Sequence, residues 1–235
     1  QFATAVINEV YDTFRPEELS DTKVLYLHAH GSGFIHTVDQ PVRSLEDLKG
    51  MKIRCPGSVA ETVKSLGAAP VTMPMPEVYQ ALKKGVVQGA VYPMETNQGW
   101  KMGEVIDYTT ANYKTAYSVG FFVVMNQDKW QSLPQEVKKT IEEINAEWAA
   151  KHGKAWDSSD FEGFRYSLSQ GNSVIGITKE ESKRWQKAVQ PVLEDYKKRT
   201  RQKDLPGNKV LQYLEKRLKA YRDGNFSSPY IDLQR

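Results

Sequence analysis

The chain has 235 residues, 40% of them hydrophobic, with 32 lysines and arginines against 29 aspartates and glutamates and a formal net charge of +3. That length fills one large domain or two lobes with packed cores, and so balanced a charge gives no electrostatic footprint for nucleic acid. Cys55, the one cysteine, excludes an intramolecular disulfide framework and a cysteine-built zinc site, and no run reaches the roughly 18 apolar residues of a membrane helix.

In chain order, QFATAVINEVYDTF sets Phe2, Val6, Val10 and Phe14 four apart, which predicts a helix with one apolar face. KVLYLHAH is nearly continuous in apolar character, as buried parallel strands are. SLEDLKG predicts a brief helix closed by Gly50, and MKIRC the next strand. In SVAETVKSLGA, Ser58 and Glu61 have capping-box spacing and Gly67 is the stop. PVTMP is a strand, and PEVYQALKKG a helix with Pro76 at its first position and Gly85 at its end. VVQGAVYP and SVGFFVVMN are further strands around a helix near ETNQGWKMGEV. From Leu133 the chain is mostly helical, with Val137, Ile141, Ile144 and Trp148 on one face; Thr178 with Glu181 opens another helix through Trp185, Val189 and Leu193. The alternation predicts an α/β fold with a mainly parallel sheet.

Arg54 is the residue out of place. Strand interiors avoid charge, so an arginine where MKIR ends and PGS begins belongs at a sheet's carboxyl edge, where open α/β sheets bind ligands. A helix starting at Ser58 would point its free N–H groups and positive dipole end to the same crevice. A carboxylate there meets a planar fork of donors. The competing reading is an ion pair with a protein acid such as Glu77 or Glu95.

Other residues carry weaker chemistry. His28 and His30, two apart on a strand, share a face, and His36 is near in sequence, but no carboxylate or thiol is spaced to complete a zinc or copper site; no metal is expected. His36, beside the GSG loop, reads as a polar contact of the cleft. The run KKRTRQK from Lys197 to Lys203 lacks interleaved aromatics and reads as a solvated helix end, with no nucleic-acid partner. Cys55 reads as a small buried residue.

The stretch LEDLKGMKIRCPGSVAETVKSLGAAPVTMPMPEVYQALKKGVVQGAVYP, continued by MNQDKWQSLPQEVKKTIEEINAEWAAKHGKAW, resembles the solute receptors of tripartite ATP-independent periplasmic (TRAP) transporters of the dicarboxylate-receptor (DctP) type. The resemblance covers most of Lys23 to Trp156. It implies a two-lobed α/β fold of the type II periplasmic-binding-protein kind with a long C-terminal helix. Residues 1–31 and 118–160 would belong to lobe I, 32–117 to the core of lobe II, and 161–235 to helices returning across both. It implies a periplasmic, non-catalytic receptor that captures a small organic acid and delivers it to a membrane permease, with no cofactor. Arg54 matches the arginine that salt-bridges the ligand's carboxylate in the family. A second arginine of the sialic-acid binders falls on Phe34, their ligand-packing aromatic on Met75 and an asparagine on Tyr92; Tyr113 falls near the cleft. These departures imply an apolar, partly aromatic pocket with one phenol donor, suited to a compact carboxylate. The alternative is a small-acid enzyme, a lyase or hydrolase using His36, Tyr92 and Arg54, though no nucleophile with its base and no Gly-rich phosphate loop is present. Family members also open with strands and helices ahead of the element that QFATAVINEV matches, which predicts that these residues are a segment of a longer receptor whose first lobe lacks part of its sheet here.

Overall fold

The computed structural model describes residues 1–231. Helix α1 (Phe2–Phe14) leads to β1 (Thr22–Ala29) and β2 (Gly33–Thr37), then α2 (Leu45–Leu48) and β3 (Lys52–Cys55). Next come α3 (Ala60–Ser65), β4 (Ala69–Thr72), α4 (Met75–Lys83), β5 (Gly89–Pro93), α5 (Thr96–Gly99) and β6 (Tyr108–Ala111). The chain continues through β7 (Gly120–Asn126), α6 (Gln127–Ser132), α7 (Gln135–Ser169), β8 (Ser173–Gly176), α8 (Lys179–Gln202) and α9 (Gly207–Arg222). Two compact units result: of the described residues, 1–31, 118–158 and 199–231 fall in the first, and 32–117 and 159–198 in the second.

In the first unit β1 pairs antiparallel with β7, from Thr22 opposite Asn126 to Ala29 opposite Gly120. Helix α1 fastens to β1 through polar groups as well as its apolar face. Asn8 donates to the carbonyls of Thr4 and Leu27 at 2.8 and 2.7 Å and accepts from the Leu27 N–H at 2.9 Å, while Thr4 bonds both polar backbone groups of Ala29. The backbone N–H and C=O of Leu27 and of Ala29 are thereby met. Arg217 of α9 grips Glu9 of α1 with two charge-assisted bonds of 2.7 Å.

The second unit is built on a six-stranded sheet in the order β4-β3-β5-β2-β6-β8. Strand β3 runs parallel to β4 and β5, and β6 parallel to β8, but β2 is antiparallel to both β5 and β6. The mainly parallel expectation therefore holds only on either side of β2. That strand escapes a periodicity search because GFIHT is buried at all five positions and does not alternate. One face of the sheet packs Ile35, Ile53, Cys55 and Val91 against Val63, Leu66 and Trp185. The other packs Ala90 and Tyr92 against Val78 and Leu82 of α4, with Met102 and Ile106. Gly163 of α7 lets the helix approach the end of β5, since a Cβ there would fall 2.1 Å from the Met94 carbonyl oxygen.

Helix entries differ from the expected caps in an instructive way. Ser44 and Asp47 form a capping box at α2. At Ser58 none forms: residues Gly57–Val59 make a 3-10 turn and α3 begins at Ala60 without a side-chain cap. Thr178 does accept from the Glu181 N–H at 3.1 Å. The Glu181 carboxylate turns away instead, to the Leu45 N–H at 2.7 Å and Trp185 Nε1 at 3.0 Å, and so docks α8 onto α2.

Candidate functional site

Arg54 lies between Val71 of β4 and Ala90 of β5 in the ladder. Residues opposite one another in adjacent strands share a face, so the pairing of His36 with Ala90 and of Phe34 with Tyr92 puts Arg54, Tyr92, Phe34 and His36 on one side of the sheet. The Arg54 side chain is 6% exposed. Its Nε and Nη2 both donate to the Met73 carbonyl, at 3.0 and 2.8 Å, and Nη1 lies 3.6 Å from Met75 Sδ. One N–H on each terminal nitrogen is left over, a fork of the shape that grips a carboxylate.

Among the described residues no carboxylate pairs with this guanidinium. Glu77 and Glu95, the acids weighed as its partners, do not pair with it; Glu95 instead accepts from the Thr96 hydroxyl at 2.7 Å. Burial pushes the Arg54 pKa down, with Tyr117, Cys55 and Tyr92 acting weakly in the other direction. A buried charge without a counter-ion costs several kcal/mol. Beside it the Tyr92 phenol is 1% exposed and its hydroxyl has no hydrogen-bond partner among the described residues. Burial pushes that phenol's pKa well up, while Arg54 pulls it down.

The other expected site residues fall around this pair. Met75 opens α4 with its sulfur toward Arg54. Phe34 is buried and meets the ring of exposed Tyr113 edge-on at 5.0 Å. His36 does not join them as a polar contact. Its ring is fully buried, stacked on Tyr92 at 3.8 Å, with Nδ1 bonded to the Thr109 hydroxyl at 2.9 Å and Nε2 to the Tyr92 carbonyl at 3.0 Å. Burial lowers its pKa to about 3, so a neutral, doubly bonded imidazole supports the sheet and has no free nitrogen for a ligand or a proton-transfer role. The helix-dipole contribution expected from a start at Ser58 is also withdrawn, because α3 begins later and is only six residues long.

Sequence reasoning missed Tyr117 and the Met73 carbonyl. Tyr117 is half-buried and electrostatically coupled to Arg54; its ring lies where a Cβ on Gly33 would be, 2.2 Å from the nearest ring carbon, and Gly33 N–H donates to the Tyr117 carbonyl at 2.8 Å. The only hint in the sequence was a glycine before Phe34, and only the fold shows what it admits. The cavity bounded by Phe34, Tyr117, Val63 and Trp185 measures about 30 Å³, room for about one water rather than an organic acid. A larger one, about 540 Å³, is lined by Asp39, Met51, Lys83 and Gln88, toward the amino-terminal ends of β3 and β5 and so opposite the edge where Arg54 stands.

The three histidines weighed for metal separate. His36 is in the second unit, His28 and His30 in the first, and no cluster of metal-ligating side chains forms among the described residues. His30 Nε2 accepts from the Val119 N–H at 3.1 Å and its Nδ1 meets the Gly31 carbonyl at 2.7 Å. His28 accepts from Trp156 Nε1 at 3.0 Å and stacks on His152 at 3.8 Å. Lys197 of the basic run pairs with Glu194 on the exposed end of α8, and Cys55 is fully buried, its thiol pKa raised by burial.

The geometry is thus a cation near a strand end with no carboxylate partner among the described residues, on an α/β sheet and beside a phenol with no acceptor among them. Residues 5–199 match the profile of the bacterial extracellular solute-binding proteins, family 7 (DctP), and the chain belongs to that family. It is 28% identical to the C4-dicarboxylate-binding periplasmic protein DctP of Rhodobacter capsulatus over 172 residues, 72% of this chain and 51% of that protein. With the sialic acid-binding periplasmic protein SiaP of Vibrio cholerae it shares 26% over 162 residues, 68% of this chain and 49% of that one. The chain thus spans about half the length of these curated relatives. Among solved structures, a marine metagenome TRAP solute-binding protein specific for aromatic acid ligands, in complex with metahydroxyphenylacetate, superposes with a TM-score of 0.85 at 31% identity, covering 90% of this chain and 68% of that one. A TRAP periplasmic solute-binding protein from Desulfovibrio salexigens gives 0.81 at 30%, covering 96% and 70%. The fold is that of the two-lobed TRAP receptors, and the relatives are periplasmic solute receptors rather than enzymes.

Proposed function

We propose that these residues form the anion-binding part of a periplasmic receptor that captures a small organic acid and passes it to the permease of a TRAP transporter. Arg54 holds the ligand's carboxylate, Tyr92 donates a second hydrogen bond to it, and Met75, Phe34 and Tyr113 bound the rest of the ligand. The observation that carries this reading is the buried Arg54 guanidinium with no carboxylate partner among the described residues, beside a buried Tyr92 hydroxyl with no acceptor. Family membership supports it, as do the carboxylic acids named for relatives, among them C4-dicarboxylates and metahydroxyphenylacetate. The receptor reading is favoured over a lyase or hydrolase because His36, the base that an enzyme would need, has both ring nitrogens engaged.

Calorimetric titration with a panel of carboxylic acids, followed by recovery of the acids, tests the assignment. At least one acid should bind and be recovered unchanged, and Arg54→Lys should bind it much more weakly, since an ammonium does not reproduce the fork. Turnover of the bound acid, or a lysine variant with undiminished affinity, would refute the reading.

A further inference from the structure

We infer that the second unit holds another small-molecule site, which takes an alkylammonium, an organic cation with an apolar body, in the cavity of about 540 Å³ at the amino-terminal ends of β3 and β5. That volume is typical of small-molecule pockets, which join an apolar lining to a few placed polar groups. Met51, Leu82 and Val87 are buried and supply the apolar lining, with Val38 half-buried beside them. The wall is fixed by Gln88, whose side-chain oxygen accepts from the Lys52 N–H at 2.8 Å and whose own N–H donates to the Lys52 carbonyl at 2.9 Å. Asp39 brings the charge. It is exposed, in the left-handed region at φ 42°, and its N–H donates to the Asp107 carboxylate at 3.0 Å; among the described residues no cation pairs with the Asp39 carboxylate. Lys83 also lines the cavity, but its ammonium lies 5.7 Å from the centre of the Tyr79 ring, one turn back along α4, and so is engaged on its own helix. The end of α4 at Lys83 adds the negative pole of the helix dipole. An anion there would meet the Asp39 and nearby Asp107 carboxylates and that pole, and a neutral chain would cover Asp39 without answering its charge; an ammonium on an alkyl chain suits both the lining and the charge. Arg54 stands at the opposite edge of the sheet, so this site is distinct from the one proposed for the acid.

Hexylammonium, hexanol and hexanoate, titrated in turn while the methionine methyl resonances are followed by NMR, test the assignment. The Met51 methyl, identified by its loss in Met51→Leu, reports on this cavity. Hexylammonium should shift that resonance and reach half-saturation at a concentration about fivefold or more below either of the others. Asp39→Asn, a change the left-handed backbone tolerates, should weaken hexylammonium about fivefold and leave hexanol unchanged. Should that variant misfold, the unaltered protein gives the same reading: about 0.5 M sodium chloride should weaken hexylammonium and not hexanol. A Met51 methyl unmoved by hexylammonium, equal or tighter binding of hexanol or hexanoate at Met51, or undiminished hexylammonium binding in Asp39→Asn or in salt would overturn the proposal. None of these results bears on the carboxylate proposed at Arg54, which the acid panel tests separately.

Discussion

The two units treat buried polarity in opposite ways. In the first, the buried polar side chains along α1 and β1 are spent on the fold: Asn8 and Thr4 tie the helix to the strand, and His28 and His30 each have protein partners. In the second, His36 and Thr109 are spent in the same manner, but among the described residues Arg54 has no carboxylate partner and Tyr92 no acceptor. The side-chain atoms that are buried without a hydrogen-bond partner among the described residues, Tyr92 Oη and Asn97 Oδ1, both belong to the second unit. Protein interiors seldom leave such groups unmet. On the proposed reading the missing partner would be the ligand.

The sharpest test of that contrast is Arg54→Ala. It should weaken acid binding by about a hundredfold, near 2.7 kcal/mol, while thermal stability holds or rises, because a buried uncompensated charge is removed. A variant that loses stability and keeps affinity would make Arg54 a structural residue like those of the first unit. Asn8→Ala should behave inversely. Leaving the Leu27 N–H and carbonyl without their side-chain partner should lower unfolding stability by about 2–3 kcal/mol in denaturant titration; a loss below about 0.5 kcal/mol would show that water replaces the amide there.

Acid should expose both units through their histidines. Burial lowers the His36 pKa to about 3, and burial with the neighbouring His152 lowers that of His28 to about 4, against an ordinary 6.5. The unfolded chain therefore binds more protons than the folded one below pH 6.5. Stability is fully present above that value and falls as the pH drops toward 4. Thermal melts from pH 7.5 to 4.5 should show a declining midpoint, and His28→Phe, which keeps a ring in the stack, should flatten part of the decline. A midpoint unchanged over that range would mean the imidazoles protonate without disturbing either unit. The smallest effect belongs to the surface: Glu142→Gln removes an exposed ion pair with Lys23 and should change stability by under about 1 kcal/mol, so a larger loss would assign the first unit a dependence on charge that its interior does not show.

Much of the fold was legible because its signals are local. The helices α1, α4, α7 and α8 follow from apolar spacing and from proline and glycine at their ends, and β1, β3, β5 and β7 from apolar runs. Strands β2, β6 and β8 were not. They are four or five residues long, and β2 is buried on both faces, so neither length nor alternation marks them. Ser58 had the spacing of a cap and does not cap, because a 3-10 turn intervenes; spacing specifies which groups are able to bond, and backbone geometry decides whether they do.

By itself the sequence determined that a cation ends a strand at Arg54, that the surrounding order of elements is α/β, and that the chain resembles the TRAP receptors. Whether that cation had a carboxylate beside it was decided only by tertiary structure. Ion pairing and hydrogen bonding depend on which strands are neighbours and in what register, and those neighbours come from distant parts of the chain: β4 and β5 on either side of Arg54, Phe34 facing Tyr92, Tyr117 lying over Gly33. The same physics took His36 out of the site, since the partners that satisfy its ring, Thr109 and the Tyr92 carbonyl, lie 73 and 56 residues away.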